Sequence, residues 1–352
     1  MSPSWLRAIE TASTDAIRRA ARKESFDPFG LPELRSQIQG WLPHYGAFVE
    51  TNQMCIVSGT QQALQLIAAT VIRPGTTVFV PEMCYLAAQE VFRDYGGRIK
   101  TLPVCPNGIN LEPLKSALQS DEVSLVYVMP NGHFPTGWSC SRKQKQELLD
   151  LAQQFQFAIV EDDYFAGFYY EKTPPQTLMS MANAEVPMYY LCSFSNMLHP
   201  SFRLGLMACP QEAVLQMERR KFLADTYSSP VLQYILLGLF ESGELMDHLE
   251  HERLSFQNAR DSAIKSCSKW LPQDYFAHPP ECGLAFWVES PSKLGLPFFQ
   301  SCLHEHVLVM PDESFSLRDT RFGFQVNFAA VDPSSLDEGI HRIARVLRKL
   351  QA

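Results

Sequence analysis

The chain has 352 residues, 46% of them hydrophobic, with 30 Lys and Arg against 38 Asp and Glu for a net charge of −8. That suffices for a large core and about two domains, and it excludes the basic patch that nucleic-acid binding requires. Nine scattered cysteines, with no C-x-x-C and no close Cys/His pairing, fit reduced buried thiols and argue against a zinc site or a disulfide framework. The N-terminus lacks a basic segment followed by an apolar one, and no apolar run approaches ~18 residues, so a cytoplasmic protein without membrane contact is expected.

Residues 4–22 are amphipathic and predict one helix. Ser25-Phe-Asp27-Pro28-Phe-Gly30-Leu-Pro32 is a loop by its Pro and Gly density, and Pro32 suits the first turn of a helix running to about 42. From 53 onward strands and helices alternate. Strands are predicted at 54–57, 77–80, 98–102, 123–129, 157–160, 188–192 and 204–208. Helices fall between them at 63–72, 85–95, 111–118 and 141–155. This alternation predicts an α/β fold with a mostly parallel sheet covered on both faces. Beyond 225 come long helices over 230–242 and 244–269, and short strands over 285–288, 307–309 and 324–328. A closing helix over 335–350 has Ser335 and Glu338 placed as a capping box. The expected organisation is a segment 1–44 joining the smaller domain, a large domain over 45–240 and a small α+β domain over 241–352.

Several stretches carry chemistry. Ser58-Gly59-Thr60-Gln-Gln lies at a strand-to-helix junction, where free N–H groups and the helix dipole receive an anion; an ordinary N-cap is the plainer reading. Tyr85 offers an aromatic face for a flat heterocycle, or a core tyrosine. Asn131-Gly-His133-Phe134-Pro135-Thr136-Gly137 is a rigid turn at the sheet's carboxyl edge, where doubly wound folds bind ligands. Glu161-Asp162-Asp163-Tyr164 follows a strand, as a surface acidic loop does and as a buried carboxylate site does. Ser193-Phe-Ser195-Asn196-Met-Leu-His199-Pro-Ser-Phe-Arg203-Leu-Gly sets two hydroxyls and a guanidinium at a strand end, which suits a phosphate.

These segments, in this order, resemble the fold-type I pyridoxal 5'-phosphate (PLP) enzymes in the class I/II aminotransferase form. Glu-Asp-Asp-Tyr and the aromatic Phe134 resemble the aminotransferase-like domain of the GntR/MocR regulators, without those regulators' N-terminal DNA-binding domain. The resemblance covers essentially the whole chain. It implies a large domain with a seven-stranded-type sheet, a smaller α+β domain, and a homodimer binding PLP or pyridoxamine 5'-phosphate (PMP). It also implies roles. Ser58, Gly59, Thr60, Ser193, Ser195 and Arg203 would hold the phosphate, and Tyr85 would stack on the ring. Asp162, with Asp163 as its neighbouring alternative, would keep the ring nitrogen protonated. Tyr164 would donate to the ring oxygen. Apart from the resemblance, His133 either faces the pocket and the substrate or is simply solvated, as a lone loop histidine more often is.

Four departures qualify that picture. Asn196 stands at the family's lysine position, and an amide can neither form the Schiff base nor shuttle a proton. His199 is then a substitute base, while Lys221 reads as a helix-surface residue. Gln325 stands where an arginine forks onto the substrate α-carboxylate, and Arg321 lies roughly 13 Å away at strand rise. Ser25 replaces a tyrosine that reaches the neighbouring subunit's phosphate. Pro311-Asp312-Glu313 replaces the usual Pro-Gly. Three functions follow: a diverged enzyme that binds PLP or PMP non-covalently and acts on an atypical amine or amino-acid-derived small molecule, using His199, His133 or Tyr164; an inactive partner subunit, in a heterodimer with an active paralogue, or a ligand-binding module; or an enzyme that reuses the cleft without PLP. No metal site is expected.

Overall fold

The computed structural model describes residues 3–22, 25–310, 312–316 and 322–351. Pro311 and Arg321, singled out above, lie outside the described residues. The N-terminal half contains α1 (Pro3–Ala20), α2 (Pro32–Trp41), β1 (Met54–Val57), α3 (Thr60–Val71), β2 (Thr77–Pro81), α4 (Leu86–Asp94), β3 (Arg98–Leu102), a hairpin β4 (Val104–Cys105) and β5 (Gly108–Ile109), α5 (Glu112–Ala117), β6 (Val123–Val128), α6 (Arg142–Phe155) and β7 (Ala158–Asp163). Then follow α7 (Leu178–Met181), β8 (Met188–Ser193), β9 (Gly205–Ala208), α8 (Val214–Asp225), α9 (Pro230–Glu241), α10 (Glu244–Trp270), β10 (Phe276–Ala277), β11 (Ala285–Glu289), α11 (Gly295–His304), β12 (Gly323–Asn327) and α12 (Pro333–Gln351).

Seven strands form one sheet in the order β1-β9-β8-β7-β6-β2-β3. It is parallel except at β9, which runs antiparallel to both its neighbours. Strands β1, β2, β6, β8 and β9 are buried almost throughout, because helices cover both faces, whereas the edge strand β3 alternates exposed and part-buried residues and β7 ends in three buried carboxylates. A smaller sheet, β10-β11-β12, packs on α10, α11 and α12 around Phe286, Phe298 and Phe324. The 27-residue α10 joins the two cores: Leu245 and Leu249 belong to the large sheet's core, Ala263 and Cys267 to the small one.

Several expectations need correction. Residues of α1 and α2, such as Trp5 and Leu34, share the core of the large sheet, where α1 lies against α9, and not that of the small sheet. Residues 307–310 form no strand. Asp332 caps α12 by accepting from the backbone N–H of Ser334 and Ser335, each at 3.0 Å, so the helix starts before the expected capping box. Lys221 is fully buried in α8, on one stripe with Met217, rather than on the surface. None of the described helices is long and apolar enough to cross a membrane.

Candidate active site

A cavity of about 250 Å³ opens at the carboxyl edge of the large sheet, where β1, β6, β7 and β8 end. Its floor is built from β7. Strand alternation sends Asp162 into the cavity and Glu161 and Asp163 to the opposite face. Asp162 Oδ2 accepts from the Tyr127 hydroxyl at 2.8 Å, whereas Oδ1 is buried with no partner among the described residues. On the other face, Asp163 accepts from Tyr190 at 2.7 Å, and Glu161 accepts the backbone N–H groups of Leu178 and Met179, each at 2.8 Å.

One end of the cavity is polar and positive. Gly59 precedes α3 at φ +87°, no side chain caps that helix, and Gly59, Thr60 and Gln61 line the wall. A Cβ at position 59 would press on the Arg203 guanidinium at 3.3 Å, so the glycine serves both the left-handed turn and the close approach. Arg203 lines the same end and makes no ion pair or hydrogen bond among the described residues. Ser193 and Ser195 complete it, with the Ser195 N–H donating to Ser193 Oγ at 3.3 Å. The other end is aromatic and apolar: Tyr85, Met129, Phe134 and Tyr164. Tyr85 is 42% exposed at the mouth.

The structure thus brings Gly59, Thr60, Tyr85, Asp162, Tyr164, Ser193, Ser195 and Arg203 to one cavity. It leaves six other residues singled out in the sequence off its wall. The Ser58 hydroxyl turns back to Ser228 Oγ at 3.3 Å. His133 is buried against Thr136 Oγ1 at 2.8 Å. His199 is exposed and caps a short 3₁₀ turn, accepting from the Ser201 N–H. The Gln325 amide donates to the Pro135 carbonyl at 3.2 Å. Asn196 lies behind Tyr164 and donates to its carbonyl at 3.2 Å. Ser25 is exposed. Sequence reasoning missed Tyr127, Met129, Pro200 and the side chain of Gln61, whose Oε1 is also buried with no partner among the described residues. Tyr127 had a signal: it is the one polar-tipped residue in the otherwise apolar stretch 125–128 of β6.

Burial dominates the electrostatics. It pushes Asp162 up to about 7, Glu161 to about 8 and Asp163 to about 6, with Tyr127 and Tyr190 hydrogen bonds opposing on the aspartates. It lowers His133 to about 4, so that imidazole is neutral at physiological pH. A carboxyl whose pKa is raised on folding binds a proton more tightly in the folded state, and its ionised form destabilises. Stability in the ligand-free protein therefore falls as pH rises through these values. Melting temperature should drop between pH 6 and pH 8, and Asp162→Asn should flatten that drop and raise stability at pH 8; an unchanged slope in the variant contradicts the assignment.

The parallel sheet, the anion-suited end and the buried aspartate together define the class. A match to the family "Aminotransferase class I and II" spans residues 2–343. The chain belongs to that family. It is 28% identical over 328 residues to the aromatic-amino-acid aminotransferase 1 of Thermococcus litoralis, covering 91% of this chain and 78% of the relative. It is 28% identical over 324 residues to the HTH-type transcriptional regulator YisV of Bacillus subtilis, itself uncharacterized, covering 92% of this chain and 66% of the regulator. Among solved structures, the Pyrococcus horikoshii kynurenine aminotransferase, in complex with PMP, KYN as substrates and KYA as products, superposes with a TM-score of 0.89 at 26% identity. That match covers 98% of this chain and 88% of the other. The fold is that of the fold-type I aminotransferases.

Proposed function

We propose that this chain seats PLP or PMP reversibly, through phosphate and ring contacts alone, and does not run lysine-dependent transamination. The observation that carries the reading is the unpaired Asp162 Oδ1, buried in the floor of a cavity whose far end is an unpaired guanidinium beside an uncapped helix start. A protonated ring nitrogen is the partner such a carboxylate oxygen lacks, and a phosphate dianion is what the other end suits. When bound, the cofactor supplies an electron sink for carbanion chemistry.

The residues of this chain have separable tasks. Asp162 holds a proton at the ring nitrogen, with Tyr127 orienting it. Arg203, Ser193, Ser195 and the first-turn N–H groups of α3 hold the phosphate. Tyr85 covers the ring. The Tyr164 phenol, raised by burial, stays protonated and donates. Asn196 stands in the lysine's place and contributes neither a covalent tether nor a base. The described wall holds no lysine or histidine, so proton abstraction has no side chain of suitable pKa once Asp162 is engaged. With Gln325 tied to Pro135, no arginine clamp for an α-carboxylate is supplied from that position, so a ligand beside the ring meets Phe134, Met129 and Tyr85 instead.

A homodimer fits this reading. The α8 helix exposes Leu215 (80%), Phe222 (53%) and Leu223 (72%), a patch that suits a partner subunit. Calorimetric titration with PMP and PLP tests the proposal, alongside an amino-transfer assay on aromatic amino acids and kynurenine. Binding of both cofactor forms without turnover is expected. Absence of binding, or turnover at ordinary aminotransferase rates of ~1 s⁻¹ or more, overturns it.

A further inference from the structure

Lys221 is the feature that the cavity does not explain. A lysine is almost never fully buried without a partner, and this one is 0% exposed. Its Nζ meets Asp225 Oδ1 at 2.5 Å, one helical turn on in α8. The other Asp225 oxygen accepts from Gln62 Nε2 at 2.7 Å. Gln62 lies in the first turn of α3, and its Oε1 accepts the backbone N–H of Ser58 at 2.8 Å. The chain of contacts therefore ends on the turn that presents Gly59, Thr60 and Gln61 to the cavity.

The same turn is held from a second side. Ser58 Oγ meets Ser228 Oγ at 3.3 Å, Ser228 Oγ donates to the Ile56 carbonyl at 3.1 Å, and Gln233 Nε2 donates to the Ser228 carbonyl at 2.7 Å. The Ser58 N–H and hydroxyl thus face backward, away from the cavity, and the N–H groups after Gly59 are left for a ligand. Charge matters as much as geometry here. Asp225 puts a carboxylate one residue behind an anion site, and alone it would repel a dianion. Lys221 cancels it, so the relay holds the loop without opposing the charge that the loop receives.

We infer that Lys221, through Asp225 and Gln62, is a positioning residue for the phosphate-receiving turn at Ser58–Gly59, acting by neutralising Asp225 as well as by holding it. The inference rests on the proposed reading that this turn receives the phosphate of PLP or PMP.

The test compares PMP with pyridoxamine, which lacks the phosphate, by calorimetry on the full chain. Lys221→Met should weaken PMP by roughly tenfold and leave pyridoxamine unchanged, because only the phosphate feels the uncompensated carboxylate. The double variant Lys221→Met/Asp225→Asn should recover PMP affinity to within about threefold of wild type, since the charge is gone and an amide oxygen still accepts from Gln62. If Lys221→Met does not fold, Gln62→Leu, which frees the turn but leaves Asp225 neutralised, must still weaken PMP more than pyridoxamine, by a smaller factor that reports the holding contribution alone. Equal losses for PMP and pyridoxamine overturn the inference, as does a double variant that stays as weak as the single one. Wild type that binds no PMP overturns the underlying reading; wild type that binds and a Lys221→Met chain that binds equally well overturn the relay alone.

Discussion

Asn196→Lys should convert reversible binding into covalent attachment. After incubation with PLP and reduction with borohydride, the variant is expected to carry a stable adduct on the peptide containing position 196, at near-stoichiometric yield, whereas wild type carries none there. Asn196 lies three residues past the end of β8, next to Ser195 on the cavity wall and in contact with the Tyr164 carbonyl. A lysine from the same Cα extends two heavy atoms further than the asparagine amide and supplies the nucleophile that the amide cannot. If phosphate and ring contacts are in place, nothing else is needed for the bond to form. An unmodified variant would show that the pocket is not organised around a lysine-bearing ancestor's geometry.

The second large effect belongs to Asp162. Asp162→Asn should weaken PMP by on the order of 10- to 100-fold, the ~1.5–3 kcal/mol of a hydrogen bond to a charged group, while raising the stability of the ligand-free chain at pH 8. The two changes have one cause. At pH 8, above its raised pKa, the carboxylate is ionised despite burial and Oδ1 has no partner among the described residues, so it costs the free protein stability and rewards a cationic N–H donor. Asp163→Asn is the control. Its oxygen is used by Tyr190 on the far face of β7, and PMP affinity should stay within about threefold of wild type by the same reasoning. A variant at 162 that binds PMP as wild type does would remove Asp162 from the site.

The alternation of β-rich and helical segments carried the fold, because strands covered on both faces are mostly apolar, as 54–57, 125–128 and 188–192 are. The anion end was legible for the same local reason: Ser-Gly-Thr at a strand-to-helix junction and Ser-x-Ser before an arginine are short-range patterns. What needed three dimensions was direction. The choice between Asp162 and Asp163 turns on β7 running through both, which the predicted end at 160 hid. His199 is three residues from Asn196, yet the 3₁₀ turn it caps points it to solvent. His133 is in the expected loop, but Thr136 draws its ring inward. Lys221 was readable only by its spacing from Met217, four residues earlier on the stripe that α8 buries. A charged residue on a buried stripe is a signal that composition-based reasoning discounts.

On the proposed function, the cofactor's seat is kept and its tether is gone. The most direct measurement is on the wild-type chain: load it with PLP, pass it through a desalting column, record the absorbance, then reduce with borohydride and map every lysine by mass spectrometry. The expected result is PLP retained near stoichiometry, removable by exhaustive dialysis, with no reduced adduct on any lysine. PLP lost at the desalting step, or a reduced adduct on a lysine of this chain, would contradict it.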